Sequence, residues 1–325
     1  MTMDVVISAV GVVTPWGRGM ASFVQGLEQK TVTLQSSANL QYLPSDLAGL
    51  APNQGHLDYI AKRKATKLMT PAACLAIDAV GQVLHSILPE DVRPQSKDLR
   101  EAVQRYLHGE DMGLFLSVGR EPPDEGEAED TLLASMENQR FSEEKLATEG
   151  QNLYPPLLPL KTLPNMILGH ISIIFGLCGE NAAWAGEGVQ SVWEGFYSIA
   201  EGRSDQVLVG ATDSLVDLGQ ARDMLRLGIS FVPGQSAVVF LMESADSAMQ
   251  NKRQPIVSLK SSSVCPKQII RENLTDDGLW LAPYIGYCGV ALEQLDLLAK
   301  IHRVVSTPQE TMQWHGLEIS AIHTN

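Results

Sequence analysis

Residues 164–213 constrain what this chain can fold into more than any other stretch. An apolar run over 166–177 leads to the glycine turn Gly186-Glu187-Gly188, and an amphipathic segment over 189–201 follows directly. Its apolar positions recur at helical spacing, which predicts a helix with one buried face. Residues 202–213 complete the stretch. The order is thus an apolar run, a glycine turn and an amphipathic helix.

The length and composition are those of an ordinary soluble globular protein. The chain has 325 residues, of which 44% are hydrophobic and 19% charged, so it can bury a large core as one big domain or two fused halves. Its four cysteines include no C-x-x-C pair, which argues against a metal site and a disulfide framework. Reduced, mostly buried thiols are expected at these positions, which are Cys74, Cys178, Cys265 and Cys288.

The charge balance excludes two classes of partner. A net charge of −14 argues against nucleic acid and against anionic membrane surfaces, because both require basic patches. The one dense basic run, residues 62–67, is better explained as a solvated helix face than as a docking patch. The N-terminus lacks the features of a signal peptide, and no apolar run reaches about 18 residues. A cytoplasmic protein is therefore expected.

The rest of the chain alternates between predicted strands and helices. The near-continuous apolar run over 4–13 predicts a strand buried on both faces, and the following Pro and Gly turn the chain into a helix around 20–27. Helical spacing predicts one long helix over 61–88. Further predicted elements are a strand over 112–118, an acidic loop over 121–129, strands over 230–243 and 256–264, and a helix over 294–301.

The elbow region resembles the centre of the β-ketoacyl-ACP synthases, the condensing enzymes of fatty-acid and polyketide synthesis. In that family a T-A-C-x-x-G elbow precedes a helix and the phrase G-x-x-D-V-x-x-x-G-x-x-D/E. Counting back from Gly202 without a gap puts the last elbow glycine on Gly188 and the family's cysteine on Ala185. Residues 4–17 resemble the family's opening phrase, and residues 230–243 resemble its F-x-x-G-E-G-A strand.

This resemblance implies an α/β protein with the thiolase-like fold, a layered α-β-α-β-α arrangement of two related halves. Family members carry one histidine in a G-T-x-T loop and another in G-H-x-x-G-A-x-G. The first motif is absent here, and residues 286–293 are the best match to the second. The C-terminal half is therefore expected to be shortened. We predict a ketosynthase-like half over 1–250 and a truncated half over 251–325.

The same resemblance implies that the condensing chemistry is missing. A ketosynthase needs a cysteine whose thiolate is stabilised at a helix N-terminus, together with two imidazoles. Ala185 stands at the cysteine position, Tyr287 at one histidine position, and the other histidine has no counterpart. No catalytic residue, no metal and no cofactor is predicted.

Four other residues are candidates for binding or gating. Trp184 precedes the elbow, and a core-filling indole is favoured over a gate that limits an acyl chain. Glu187 at the helix start suits the helix dipole, so a structural role is favoured over a catalytic one. For His170 a hydrogen-bonded packing role is favoured over catalysis. Phe231 is the fourth candidate.

The resemblance also implies a dimer, either homo- or heterodimeric. In the family, the strand before the elbow pairs with its twofold mate, and residues 180–184 match it here. Leaving that strand edge exposed would be an aggregation liability. The predicted interface residues are Ile173, Phe175, Asn181 and Ala183.

Three classes of function remain open on sequence. The first is a non-catalytic subunit that pairs with an active ketosynthase, as chain length factors of type II polyketide synthases do, with an acyl carrier protein as a further partner. The second is a thiolase-fold accessory protein outside lipid synthesis, for instance an assembly factor of a secretion system. The third is an enzyme with relocated chemistry.

Overall fold

One nine-stranded sheet organises the residues that the computed structural model describes, which are 4–60, 63–92, 97–120, 128–186, 188–261 and 278–322. The strands are β1 (Val5–Thr14), β2 (Gly17–Arg18), β3 (Leu34–Ser36), β4 (Leu47–Gly49), β5 (Gly113–Val118), β6 (Met136–Glu137), β7 (Arg140–Phe141), β8 (Asn181–Ala185), β9 (Gln206–Ser214), β10 (Gln235–Ser244), β11 (Val257–Ser261), β12 (Thr311–Trp314) and β13 (Leu317–Ala321). The helices are α1 (Gly19–Gln29), α2 (Pro71–Ile87), α3 (Lys97–Leu107), α4 (Glu129–Ala134), α5 (Glu143–Thr148), α6 (Leu158–Thr162), α7 (Met166–Phe175), α8 (Val189–Ala200), α9 (Leu218–Arg226), α10 (Ala245–Gln250), α11 (Ala282–Ile285) and α12 (Ala291–Ser306).

The strand order brings the carboxyl ends of four strands to the same end of the sheet. The order is β12-β13-β11-β1-β10-β9-β5-β8, and β2 pairs with the end of β1. Strand β10 is antiparallel to both β1 and β9, whereas β9, β5 and β8 are parallel to one another. The carboxyl ends of β1, β5, β8 and β9 therefore lie at the same end of the sheet, which is where α/β proteins commonly have their binding and active sites.

The sheet separates two hydrophobic clusters. Val207, Val209 and Ala211 of β9 pack on the side that holds α8 and α12, while Leu208 packs on the side that holds α2 and α7. Successive side chains of a strand point to opposite faces, so a continuous apolar run is what a strand covered on both faces requires. The predicted strand at 4–13 and the predicted helix at 189–201 both contribute to the first cluster.

The predicted long helix over 61–88 is shorter in the structure. Helix α2 begins at Pro71, and a 3-10 helix, Arg63–Leu68, precedes it. The hydroxyl of Thr70 accepts a hydrogen bond from the Ala73 N–H at 3.2 Å, which caps the helix. A residue before proline avoids the helical conformation, so Thr70-Pro71 sets the boundary that apolar spacing alone misses.

The C-terminal strands extend the first sheet instead of forming a separate one. Strand β11 pairs antiparallel with β1, and β13 and β12 follow outward. By pairing with β1, this short set of strands satisfies the backbone groups along one of its edges. The division of the chain at residue 250 stays a prediction.

Several predicted features lie outside the described residues. They are Glu187, Cys265, residue 62 of the basic run, residues 121–127 of the acidic loop and residues 262–264 of the predicted strand. In the part of the chain that is described, no helix is long and apolar enough to cross a membrane.

Candidate functional site

The elbow lies at the carboxyl end of the sheet, where β8 leads into α8. Ala185 is the last residue of β8 and is exposed, so a methyl group occupies the position that aligns with the family's cysteine. Gly186 has φ +97°, a left-handed conformation that favours glycine. Helix α8 follows with Gly188 as its N-cap. The local turn is thus that of a strand-to-helix elbow without a side-chain nucleophile.

A buried polar network ties this elbow to the C-terminal helix α12. The carbonyl oxygen of Gly188 accepts hydrogen bonds from Gln294 Nε2 at 2.6 Å and from Ser117 Oγ at 3.2 Å. Gln294 Nε2 also lies 2.7 Å from Ser191 Oγ, which donates to the Gly210 carbonyl at 2.9 Å. A Cβ at position 188 would collide with the Val290 carbonyl. Glycine is therefore required at position 188 for the close contact between the elbow and the start of α12.

Asp213 holds the loop over 286–290 in place through a hydrogen bond to Val290. Its carboxylate accepts hydrogen bonds from the N–H of Ser214 at 2.8 Å and of Val290 at 3.2 Å. A Cβ at Gly119 or Gly289 would collide with the same carboxylate, so both backbones pass directly over it. Burial raises the pKa of Asp213 to about 7, and the two N–H donors oppose this rise.

Two of the predicted site residues, Phe231 and Tyr287, are in contact at the loop that Asp213 holds. The rings of Phe231 and Tyr287 stack with centroids 5.8 Å apart and an interplanar angle of 15°. The backbone holds them in register, because Tyr287 N–H donates to Val232 O at 2.6 Å and Gly234 N–H donates to Tyr287 O at 2.8 Å. Phe231 also lines a small apolar pocket of about 170 Å³ next to α9. An aromatic pair thus lies at the position that the sequence resemblance assigns to a histidine loop.

The cysteine beside Tyr287 is chemically protected. Cys288 is fully buried, and its Sγ donates to the Gly286 carbonyl at 3.4 Å. Burial raises the pKa of the Cys288 thiol to about 12. Only the thiolate is nucleophilic, so this thiol is inert at neutral pH.

The other two described candidates lie in different surroundings. Trp184 is partly buried, packs against the cluster that contains α8, and its ring lies 6.0 Å from that of Phe115. His170 is on α7, with Nε2 at 3.1 Å from the Leu68 carbonyl, and burial lowers the pKa of its imidazole. The roles of both residues stay predictions.

The predicted interface residues divide into surface and core. Ile173 is 66% exposed and Asn181 is exposed, while Ala183 is partly buried. Phe175 is fully buried in the cluster that contains α2, so its assignment to the interface was wrong. The apolar run over 166–177 forms a helix, and a helix with one buried face turns some of its apolar side chains inward.

A polar cavity lies at the opposite end of the sheet, where β8 and β9 begin. It has a volume of about 690 Å³ and its lining includes Glu180 and Arg203, which precede β8 and β9. The Glu180 carboxylate lies 2.7 Å from Arg203 Nη1 in an ion pair. Among the residues that the structure describes, no group of three or more His, Cys, Asp or Glu side chains is placed to hold a metal ion. This cavity is separate from the candidate site at the elbow, which lies at the carboxyl ends of the strands.

The sequence patterns missed the polar side chains that hold this site together. Asp213 was visible as the last residue of the G-x-x-D phrase, and its acidic position in that phrase was the available signal. Ser117, Ser191 and Gln294 carry no motif, because they come together only through the packing of β5, α8 and α12.

We expect Asp213 to make stability depend on pH. Its folded pKa of about 7 exceeds the usual unfolded value of about 3.9, so the folded protein binds this proton more readily. The stability it contributes is complete below about pH 4 and is lost as the pH rises to about 7. Urea unfolding of the wild type and of Asp213→Asn should therefore differ by roughly 2–4 kcal/mol more at pH 7.5 than at pH 4.5 in favour of the variant. Parallel pH profiles would contradict this prediction.

Comparison with solved structures identifies the fold. One match, with 14% identity and TM-score 0.66, covers 99% of this chain and 100% of a chain from a complex of a type II polyketide synthase acyl-carrier protein with its ketosynthase bound to the hexaketide. Another, with 17% identity and TM-score 0.63, covers 98% of this chain and 100% of a chain from the ishigamide ketosynthase/chain length factor. A β-ketoacyl synthase from Burkholderia phymatum STM815 matches with 13% identity and TM-score 0.54 over 92% of this chain and 78% of that one.

The protein has the ketosynthase-like thiolase fold. The predicted fold class is confirmed, and its C-terminal part is the short set of β11, α11, α12, β12 and β13. In sequence, the chain matches no protein-family model and no curated protein. At these identities the likeness extends to the fold alone, so activity has to be argued from the site.

Proposed function

We propose that the chain is a non-catalytic ketosynthase-like subunit that pairs with an active ketosynthase in polyketide- or fatty-acid-type biosynthesis, with an acyl carrier protein as a further partner. The observation that carries this proposal is Ala185 at the end of β8. The strand, the glycine turn and the buried helix of a nucleophile elbow are all present, but the side chain that would be acylated is a methyl group.

The surroundings of the elbow support the same proposal. Tyr287 and Phe231 stack where the resemblance puts a histidine loop, and Asp213 holds that loop down. The elbow itself is in direct contact with Val290 and hydrogen-bonded to Gln294, which fixes the backbone of Gly188 in place. A scaffold kept intact while its reactive groups are replaced is expected of a subunit that acts through its partner.

No alternative nucleophile near the elbow supports an enzyme with relocated chemistry. Cys288 is the nearest thiol to the degenerate histidine position, and burial keeps it protonated. Asp213 is buried and already accepts two backbone hydrogen bonds. Neither group is placed to attack a thioester in solvent.

The free edge of β8 supports pairing with another chain. Leu114 N–H donates to Glu180 O at 2.8 Å, and Gly186 N–H donates to Val118 O at 3.4 Å. In a parallel ladder these bonds alternate along the strand, so the N–H groups of Asn181, Ala183 and Ala185 point away from β5. Among the described residues β8 is the outermost strand, so these groups are free to pair with a second strand.

A proline at Ala183 tests the pairing. Proline removes the outward N–H and leaves the bonds to β5 intact, which edge strands tolerate. We expect Ala183→Pro to weaken the complex with a co-expressed cysteine-containing ketosynthase at least tenfold, measured by light scattering after size-exclusion chromatography and by titration. The melting temperature of the isolated chain should change little.

Ala183→Val is the matched control, because it adds side-chain bulk and keeps the N–H. The control should bind like the wild type. Equal affinity of the proline variant would place the contact elsewhere on the surface. A wild-type chain that binds no ketosynthase would overturn the proposed function.

A further inference from the structure

The segment 128–163 between β5 and α7, called the arm below, is built differently from the rest of the protein. It contains α4, the hairpin of β6 and β7, α5 and α6, and it has defined internal hydrogen bonds. Ser142 N–H donates to Ser135 O at 2.8 Å, and Ser135 Oγ donates to Thr131 O at 2.6 Å. The arm is thus a folded element and not an unstructured connection.

The arm turns its apolar side chains outward. Nine of the twenty large hydrophobic side chains that are exposed among the described residues lie within it, and they include Leu132 at 55%, Leu133 at 64% and Leu157 at 52%. None of its residues belongs to the three hydrophobic clusters of the core. Only Thr131, Ser135, Gly150 and Leu158 are buried.

Such an exposed set is costly in water and typical of a surface that is covered by another protein. Isolated exposed leucines need no explanation, but a concentration of them marks an interaction site. A segment of this size normally gains its stability by burying its apolar face. Here that burial must come from outside the described chain.

The charges of the arm select the kind of partner. The arm contains six carboxylates, all of them exposed, and only three lysine or arginine side chains, so its net charge is −3. Two copies of the arm brought together would place like charges side by side, which disfavours a second copy of this chain. A partner with lysines and arginines around an apolar surface would be complementary.

The arm is also next to the edge at which pairing is proposed. Helix α6 packs on α7, and α7 packs on β8. Ile173, which is 66% exposed, is on α7, the helix that contacts both α6 and β8. One partner could therefore cover the strand edge and the arm together.

We propose that the arm is the main apolar docking surface for a non-identical protein subunit that presents an apolar patch rimmed by basic residues. This inference rests on the proposed function for the identity of the subunit, a ketosynthase. It goes further in assigning most of the contact to the arm and in excluding a homodimer as the principal assembly.

The test compares exposed leucines on and off the arm in the full-length chain. Leu132→Ser/Leu133→Ser should weaken the complex with the co-expressed ketosynthase at least tenfold. Leu227→Ser, which is 77% exposed in the wild type and follows α9, should change the affinity less than twofold. All of these side chains are exposed, so the melting temperatures of the isolated variants should match that of the wild type.

A charge variant tests the acidic rim separately. Glu143→Lys/Glu144→Lys should slow association at 50 mM salt, and the difference from the wild type should vanish at high salt, because screening shortens the range of the interaction. Light scattering of the wild-type chain alone should give a monomer.

The outcomes separate the two proposals. A complex that forms and is unaffected by the arm variants overturns the docking surface and leaves the proposed function standing. A wild-type homodimer that the arm variants dissociate overturns the non-identical partner. No complex with any ketosynthase overturns the proposed function, and this assignment of the partner with it.

Discussion

Incubation of the purified chain with a radiolabelled acyl thioester should leave no covalent label on the protein. Acyl transfer requires a nucleophile that forms a covalent intermediate, and Ala185 has none. Cys288 is fully buried with a pKa of about 12, so it should not substitute. Condensation of acyl and malonyl thioesters by the chain alone should stay at background, measured by product formation.

Two variants sharpen this result. Ala185→Cys restores the thiol but leaves Tyr287 at the histidine position, so condensation should not return. Cys178 is exposed, and Cys178→Ser removes adventitious acylation of a surface thiol from the measurement. Stoichiometric labelling at any cysteine would show that the chain has acyl-transfer chemistry after all.

Arg253→Met should destabilise the protein by about 3–5 kcal/mol, because it leaves a buried carboxylate without its partner. The Glu243 side chain is fully buried, and its Oε2 lies 2.7 Å from Arg253 Nη2. The same guanidinium nitrogen donates to Gln206 Oε1 at 3.0 Å. Arg253, which lies between α10 and β11, thus connects the start of β9 to the end of β10. Urea unfolding measures the loss.

Arg226→Met is the matched control. Arg226 is 83% exposed and 3.8 Å from the Asp223 carboxylate, and such surface pairs contribute at most about 1 kcal/mol. Glu243→Leu/Arg253→Met should recover part of the loss, since replacing both members of a buried pair is often nearly neutral. Equal stability of Arg253→Met and wild type would mean that water reaches Glu243.

The fold could be predicted to a useful degree because the key elements are encoded locally. The apolar run that became β1 and the helical spacing that became α8 both describe a side-chain pattern on one element. Boundaries were less certain where a single capping residue decided them. Helix α2 begins only at Pro71, after its N-cap Thr70, although the prediction began at residue 61, and apolar spacing contains no information about that boundary.

The candidate site was only half visible in the sequence. Ala185 and Tyr287 could be located because each replaces a reactive residue inside a recognisable phrase. Gln294 could not be located, because its role is to donate a hydrogen bond to the Gly188 carbonyl, which is over a hundred residues away in the sequence. Phe175 was misplaced for a related reason: whether an apolar side chain on α7 faces the core or the solvent depends on what packs against the helix.

By itself, the sequence determined which elements form and that the elbow carries no nucleophile, because periodicity and residue chemistry are local properties. Only the tertiary structure decided that the C-terminal strands join the nine-stranded sheet and that Asp213 is hydrogen-bonded to Val290. It also decided that the arm from 128 to 163 keeps its leucines in solvent. Each of these depends on contacts between distant segments, and the free energy of burial is settled only when those segments meet.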